Sequence, residues 1–283
     1  MTEEPRIALV TGASRGVGKG IATVLAAAGW LVYFTGRSDA EATEDVGGTL
    51  RETAETIKRA GGSAVAVRCD HGDDAQVDGL FTRIGREAGR LDLLVNNFYA
   101  GPDHIYDGRP FFARSVDEWD SLMACCLRGH YVASVRAAQL MSERRRGLIV
   151  NVSSFGGAAY LGHVLYGMQK AALDKMAHDM AVELRPYDVQ ALSLWLGPVL
   201  TEKVRALDVR DIMGFSLAEA ETPGFVGQVI CALADDPDLP QVSGATLVAA
   251  EVAERLGITN EDGGRPPSLR GRLGAPRFGA IPA

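Results

Sequence analysis

Seven short apolar runs punctuate this chain, at residues 7–10, 31–34, 64–67, 91–95, 148–152, 191–196 and 245–249. Between most of them lie longer stretches with apolar residues at helical spacing, at residues 16–28, 49–60, 75–88, 116–141 and 165–184. The runs are apolar on both faces, so each strand needs cover on both sides, as in a parallel sheet sandwiched by helices. Alternation of this kind builds βαβ units. The predicted fold is α/β, a doubly wound parallel sheet of about seven strands flanked by helices.

A chain of 283 residues could hold two small domains. The alternation passes residue 240 without a linker-like break, so one domain is expected over residues 1–256. Residues 257–283 are rich in Gly, Pro and Arg and show no apolar period. With Arg265, Arg270, Arg272 and Arg277 and no acid after Asp262, they read as a flexible or partner-clasping arm. Two internal segments also leave the rhythm. Residues 98–115 form a long loop with Phe98, Tyr99, Tyr106, Phe111 and Phe112, and residues 201–222 read as a short helical insertion.

Charge and cysteine usage exclude several roles. A net charge of −7 makes nucleic acid and anionic lipid poor partners. The run Arg144-Arg145-Arg146 reads as charge facing a helix C-terminus. Cys69, Cys125, Cys126 and Cys231 form no C-x-x-C, and the five histidines lack ligand spacing, so no metal site is expected. The N-terminus begins acidic, without a signal-peptide pattern. The longest apolar run, residues 21–34, is shorter than the ~20 residues of a bilayer span. A cytoplasmic setting with no membrane span is the expectation.

The first run leads into Thr11-Gly12-Ala13-Ser14-Arg15-Gly16-Val17-Gly18 and then a helical stretch. Glycines at such a turn let the backbone approach a pyrophosphate, and the helix N-terminus attracts its charge. Among 33 glycines such a pattern arises by chance; at the first turn of a βαβ chain it is a strong signal. The second run ends Thr35-Gly36-Arg37. A carboxylate there would select the ribose 2′-hydroxyl of NAD, whereas an arginine accommodates a 2′-phosphate. Arg37 and Arg15 favour NADP(H). Asp39, two residues on, keeps NAD(H) open.

Tyr166 and Lys170 stand four apart in a helical stretch, so phenol and ammonium share one face. A phenol ordinarily titrates near 10, and a neighbouring ammonium favours its phenolate, fitting it for acid/base work. Tyr-x-x-x-Lys alone is a common accident. Here it follows Asn151-Val152-Ser153-Ser154 in a chain that already carries the glycine turn.

Together these motifs resemble the short-chain dehydrogenase/reductase family, from about Arg6 to Ala250. The resemblance implies a Rossmann-type catalytic domain in which Gly12, Ser14, Arg15, Gly16, Val17 and Gly18 hold the dinucleotide. It assigns Asp70 to the adenine and Gly197, Val199 and Thr201 to the nicotinamide side. Asn96 and Asn97 match the family's Asn-Asn-Ala-Gly element, here with two residues inserted, although Asn96 reads equally well as a sheet-bracing amide.

By the same resemblance Tyr166 is the general acid/base, and Lys170 assists it and binds the nicotinamide ribose. Ser154 donates to the substrate oxygen. The usual serine-to-tyrosine spacing would choose Ser153; the local Ser-Ser-Phe-Gly-Gly frame chooses Ser154. One departure stands out: Cys126 occupies the place where many members carry an asparagine that supports a water relay to the lysine.

Leu127-Arg128-Gly129-His130-Tyr131, Ser193-Leu194-Trp195 and the long loop after Asn97 are similar to one branch of the family, associated with steroid and other carbonyl compounds. That implies a broad apolar substrate, with Tyr99, Phe112 and His163 as candidate pocket residues; a rim position is the plainer reading of His163. Relatives imply a homodimer or homotetramer. The expected activity is NADP(H)-dependent interconversion of a carbonyl and an alcohol on a hydrophobic small molecule. Two alternatives stay open: an isomerase or dehydratase of the same fold, and a non-enzymatic dinucleotide-sensing protein, which would be expected to lose the Tyr or Lys.

Overall fold

The strands form because β-branched and large apolar residues fill both sides of a pleated layer. In the computed structural model, which describes residues 4–39, 47–101 and 108–282, the chain runs as follows. The first half holds β1 (Ile7–Val10), α1 (Gly16–Ala27), β2 (Leu31–Gly36), α2 (Leu50–Arg59), β3 (Ser63–Arg68), α3 (Asp74–Ala88) and β4 (Leu93–Asn96). Then come α4 (Asp117–Trp119), α5 (Arg128–Arg144), β5 (Gly147–Ser154), α6 (Val164–Leu184) and β6 (Val189–Leu196). The chain continues through α7 (Glu202–Arg205), a small hairpin of β7 (Asp211–Ile212) and β8 (Phe215–Ser216), and α8 (Pro223–Asp235). It closes with α9 (Leu239–Val242), β9 (Thr246–Val248), α10 (Ala249–Leu256) and α11 (Arg270–Leu273).

The main sheet has seven strands in the order β3-β2-β1-β4-β5-β6-β9, all parallel. Alternate residues of each strand feed opposite cores. Ala8 and Val10 pack with Val32, Phe34, Ile21 and Phe225 on one face. Ile7 and Leu9 pack with Tyr33, Leu94, Ile149 and Phe81 on the other. The seven-stranded, two-sided sheet expected from the apolar runs is therefore present. The order reverses between β1 and β4, which opens a crevice at the strands' C-terminal ends, where ligands bind in open α/β sheets.

Local signals set the helix starts. Thr49 and Glu52 form a reciprocal capping box on α2, Asp73 caps α3, and Thr222 caps α8 ahead of Pro223. At the basic run, α5 ends on Arg144 and Arg145 turns into the left-handed region (φ 51°), its guanidinium bonded to Asp188 at 2.7 Å.

Three expectations are corrected. The helix expected over 116–141 is interrupted: α4 leads into a wider, π-helical stretch, Asp120–Leu127, before α5 begins. The apolar period does not signal this, because the π-helical stretch is only 8 residues long, too short for a period of its own to show. Residues 201–222 are largely non-helical; after α7 they form the β7–β8 hairpin. Finally, the tail folds back on the domain rather than standing off as an arm. Leu269 joins Phe155, Trp195, Val248 and Ala250 in a small core. Arg270 pairs with Glu251 at 2.5 Å, and Arg272 lies over the Phe215 ring at 4.2 Å. Phe278 O accepts from Thr246 N at 3.0 Å, and Ile281 N donates to Ser243 O at 2.9 Å. Isolated apolar anchors separated by Gly and Pro leave no period to read. Tyr106 lies outside the described residues. Among the described residues no helix is long and apolar enough to cross a membrane.

Candidate active site

The crevice at the sheet switch point is lined by Gly12, Ser14, Arg15, Gly36, Arg37, Ser38, Asp70, His71, Phe98, Tyr99 and Cys125. The glycine turn is shaped by sterics. Gly12 takes φ 69°, and a Cβ on Gly18 would stand 2.3 Å from Gly12 O and 2.5 Å from Asn97 Nδ2. Asn97 braces this turn: its Nδ2 donates to Thr11 O at 2.9 Å and to Gly12 O at 3.0 Å. At the start of α1, Gly16 N donates to the Glu202 carboxylate at 2.9 Å. A carboxylate thus stands where free helix N–H groups and the dipole favour an anion. Thr201, which caps α7, lies over the same turn, its Cγ2 3.4 Å from where a Cβ on Gly16 would be.

Arg37 follows β2 directly, and Arg15 and Arg37 share the crevice wall. Asp70 lies on the same wall, with Oδ1 accepting from Gly72 N at 2.9 Å. Asn96 is sealed inside, its amide donating to Ser134 Oγ and Asn151 Oδ1, each at 2.9 Å. That is the bracing role; the side chain has no exposed surface to offer a ligand. The two residues inserted after Asn97 divide their work. Phe98 tucks between the His71 and His130 rings, at 4.7 and 4.4 Å, and Tyr99 reaches the Tyr166 ring edge-on at 6.2 Å. Burial holds both histidines neutral, His71 down to about 4 and His130 down to about 3.

At the end of β5, Ser154 Oγ and Tyr166 OH share a hydrogen bond of 2.7 Å. Ser153 points the other way and bonds Lys170 O at 3.3 Å, so the structure brings Ser154, not Ser153, to the phenol. Lys170, one turn beyond Tyr166, is 8% exposed, and its Nζ donates to Val152 O at 3.2 Å. Nζ lies 5.7 Å from the Tyr166 ring centre and 5.8 Å from that of Tyr99. Burial pulls its pKa down to about 8, against the opposing pull of Cys126 and Asp174. At neutral pH the ammonium is retained.

Four features were not legible beforehand. Asp174, one turn beyond Lys170, accepts from Ser193 Oγ at 2.6 Å and Trp195 Nε1 at 2.8 Å, clamping α6 to β6. Cys126 is fully buried, and its Sγ accepts from Ala100 N at 3.0 Å, holding the inserted loop. Glu221 takes Gly197 N on one oxygen at 2.9 Å, while its backbone pairs with Pro198 O and Leu200 N around Val199. Burial raises its carboxyl to about 8. His163, finally, is 3% exposed and caps α6 through Nδ1, which accepts from Leu165 N at 3.0 Å. It is a buried cap, not a rim residue. Phe112 is 78% exposed and packs edge-on against Phe111.

A crevice with this glycine turn beside a serine, tyrosine and lysine on β5 and α6 is the arrangement of an oxidoreductase that uses a nicotinamide dinucleotide. The family model for short chain dehydrogenases matches residues 6–210, and the chain belongs to the short-chain dehydrogenase/reductase family. Among its relatives is dehydrogenase/reductase SDR family member 1 of Homo sapiens, 41% identical over 270 residues, 91% of this chain and 84% of that protein. This is the branch that Leu127 to Tyr131 and Ser193 to Trp195 point to. A metagenomic short-chain oxidoreductase solved with NADP is similar at 27% identity and TM-score 0.69, covering 86% of this chain and 95% of the other. A short-chain type dehydrogenase/reductase from Mycobacterium marinum is similar at 25% identity and TM-score 0.72, covering 86% and 93%.

Proposed function

We propose that this protein is an NADP(H)-dependent oxidoreductase interconverting a carbonyl and an alcohol on a hydrophobic small molecule, with Tyr166 as general acid/base. The observation that carries the reading is the 2.7 Å bond between Ser154 Oγ and Tyr166 OH, next to a buried ammonium and beside the dinucleotide crevice.

The residues present fit the cofactor. The Gly16 N–H at the start of α1 already holds the Glu202 carboxylate, which a pyrophosphate would replace. Arg37 and Arg15 would take the 2′-phosphate, Asp70 the adenine side, and the Gly197–Thr201 segment the nicotinamide side. The bound dinucleotide supplies or accepts the hydride. In the reducing direction Tyr166 OH gives its proton to the substrate oxygen, and Ser154 Oγ donates a hydrogen bond to that oxygen as charge develops on it. The Lys170 ammonium stabilises the resulting phenolate. Tyr99, packed edge-on against Tyr166, offers an apolar wall at the reacting centre. The similar metagenomic short-chain oxidoreductase solved with NADP supports the phosphorylated cofactor.

The test is a panel of carbonyl compounds with NADPH, then NADH, followed by absorbance. Net NADPH consumption supports a reductase; substrate conversion without it points to isomerisation or dehydration. Tyr166→Phe should cut turnover by roughly 10²–10⁴-fold while leaving NADPH binding nearly intact. A fully active Phe variant refutes the assignment.

A further inference from the structure

An imidazole is an uncommon helix cap. Ser, Thr, Asp and Asn oxygens usually hold that position, yet α6, the helix of Tyr166 and Lys170, begins on His163. His163 has extended backbone angles (φ −153°, ψ 138°), and its Nδ1 takes the Leu165 amide at 3.0 Å. With Nδ1 accepting, the proton of the neutral ring sits on Nε2. That nitrogen faces Glu118 Oε2 at 3.2 Å, in contact but not aligned as a hydrogen bond. Glu118 also neighbours Arg114 Nη1 at 3.5 Å and Arg109 Nη2 at 3.9 Å. The His163 and Arg114 side chains are only 2% and 3% exposed, and that of Glu118 10%.

Two segments far apart in sequence therefore meet at this ring. One is the end of the long loop after β4, carrying Arg109 and Arg114, together with Glu118 of α4. The other is the first turn of α6, where Tyr166 is the third residue. The first turn is where a helix frays when its amides lose their acceptors. Fraying there would move the phenol relative to Ser154, whereas the glycine turn and Arg37 sit on β1, α1 and β2 and would not feel it.

We infer that His163 is a positioning residue: it caps the catalytic helix and ties it to the Arg109–Glu118 segment, fixing the Tyr166 phenol against Ser154. This rests on the Tyr166 reading above. A misplacement of about 1 Å at a reacting group costs on the order of 10²-fold in rate, so a side chain that touches no reacting atom can still govern turnover.

The experiment uses the full chain with NADPH and whichever carbonyl compound of the panel turns over. His163→Ala should lower kcat roughly 10- to 100-fold and leave the KM for NADPH within about twofold. His163→Asn, whose short carboxamide is a good cap, should restore kcat to within about threefold of the parent protein. Glu118→Gln, which keeps the cap and weakens the tie, should fall between the parent and the Ala variant. Thermal melts check that each variant folds. An Asn variant as slow as the Ala variant overturns the proposal, because the imidazole itself would then be taking part in the chemistry. An Ala variant with parental kcat overturns it as well. Amide hydrogen exchange at Leu165 reads the cap without any turnover and should accelerate in His163→Ala. If Tyr166→Phe proves fully active, the acid/base reading fails, while slow exchange at Leu165 in His163→Ala would sink the cap.

Discussion

Replacing Glu221 with Gln tests the electrostatics of the segment after β6. The residue is 2% exposed; one carboxyl oxygen accepts from Gly197 N, and the other has no hydrogen-bond partner among the described residues. Burial raises its pKa from 4.5 to about 8. The folded state therefore holds this proton more tightly than the unfolded chain, and the associated stability is fully present below pH 4.5 and lost as pH rises through 8. Each pH unit between the two values is worth about 1.4 kcal/mol, so the loss is on the order of 5 kcal/mol across that window. Glutamine stays neutral at every pH, and its carbonyl can still accept from Gly197 N. Glu221→Gln should match the parent near pH 4.5, gain steadily over it up to about pH 8, and hold a constant advantage above. Urea unfolding of both proteins at pH 5, 6.5 and 8.5 reads the difference directly. A stability gap that does not change with pH would show that burial does not hold this carboxyl protonated, and the reasoning would fall.

The remaining predictions concern the cofactor crevice and the sheet. Arg37→Ala should raise the KM for NADPH far more than that for NADH in steady-state assays; equal effects would remove the 2′-phosphate argument. Gly18→Ala places a Cβ 2.3 Å from Gly12 O, so dinucleotide binding, followed by fluorescence titration, should be lost or weakened at least tenfold, about 1.4 kcal/mol or more. Asn151→Ala removes one of the acceptors of Asn96 Nδ2, which keeps Ser134 Oγ, and the side-chain donor to Leu173 O; at ~0.5–1.5 kcal/mol for each hydrogen bond lost, the melting temperature should drop by a few degrees.

The sheet was readable because strands buried on both faces carry uninterrupted apolar runs, and the residue alternation of Ala8 and Leu9 between the two cores follows from the pleat. The pairing of Tyr166 with Lys170 was readable from helical spacing, and that of Tyr166 with Ser154 from the local motif frame. Other features leave no periodic trace. Glu221 lies in a segment without strand or helix rhythm, and its importance comes from a backbone amide 24 residues away. Asp174 looks like any polar residue on a helix until β6 places Ser193 and Trp195 beside it. His163 reads as a loop residue because the sequence shows neither its burial nor the contact with Glu118. Asn96 illustrates the reverse case: a motif residue whose job is internal bracing.

The returning tail has a consequence for how copies of this chain can associate. β9 is the outermost strand on its side of the sheet, and such a margin offers unpaired amides and carbonyls to any passing strand. Here Phe278 O of the same molecule already accepts from Thr246 N at the start of β9, and Ile281 N donates to Ser243 O just ahead of the strand. A second copy prolonging the sheet through the start of β9 would have to displace the docked tail from Thr246. Trimming the chain before Phe278 would turn a closed flank into an adhesive one.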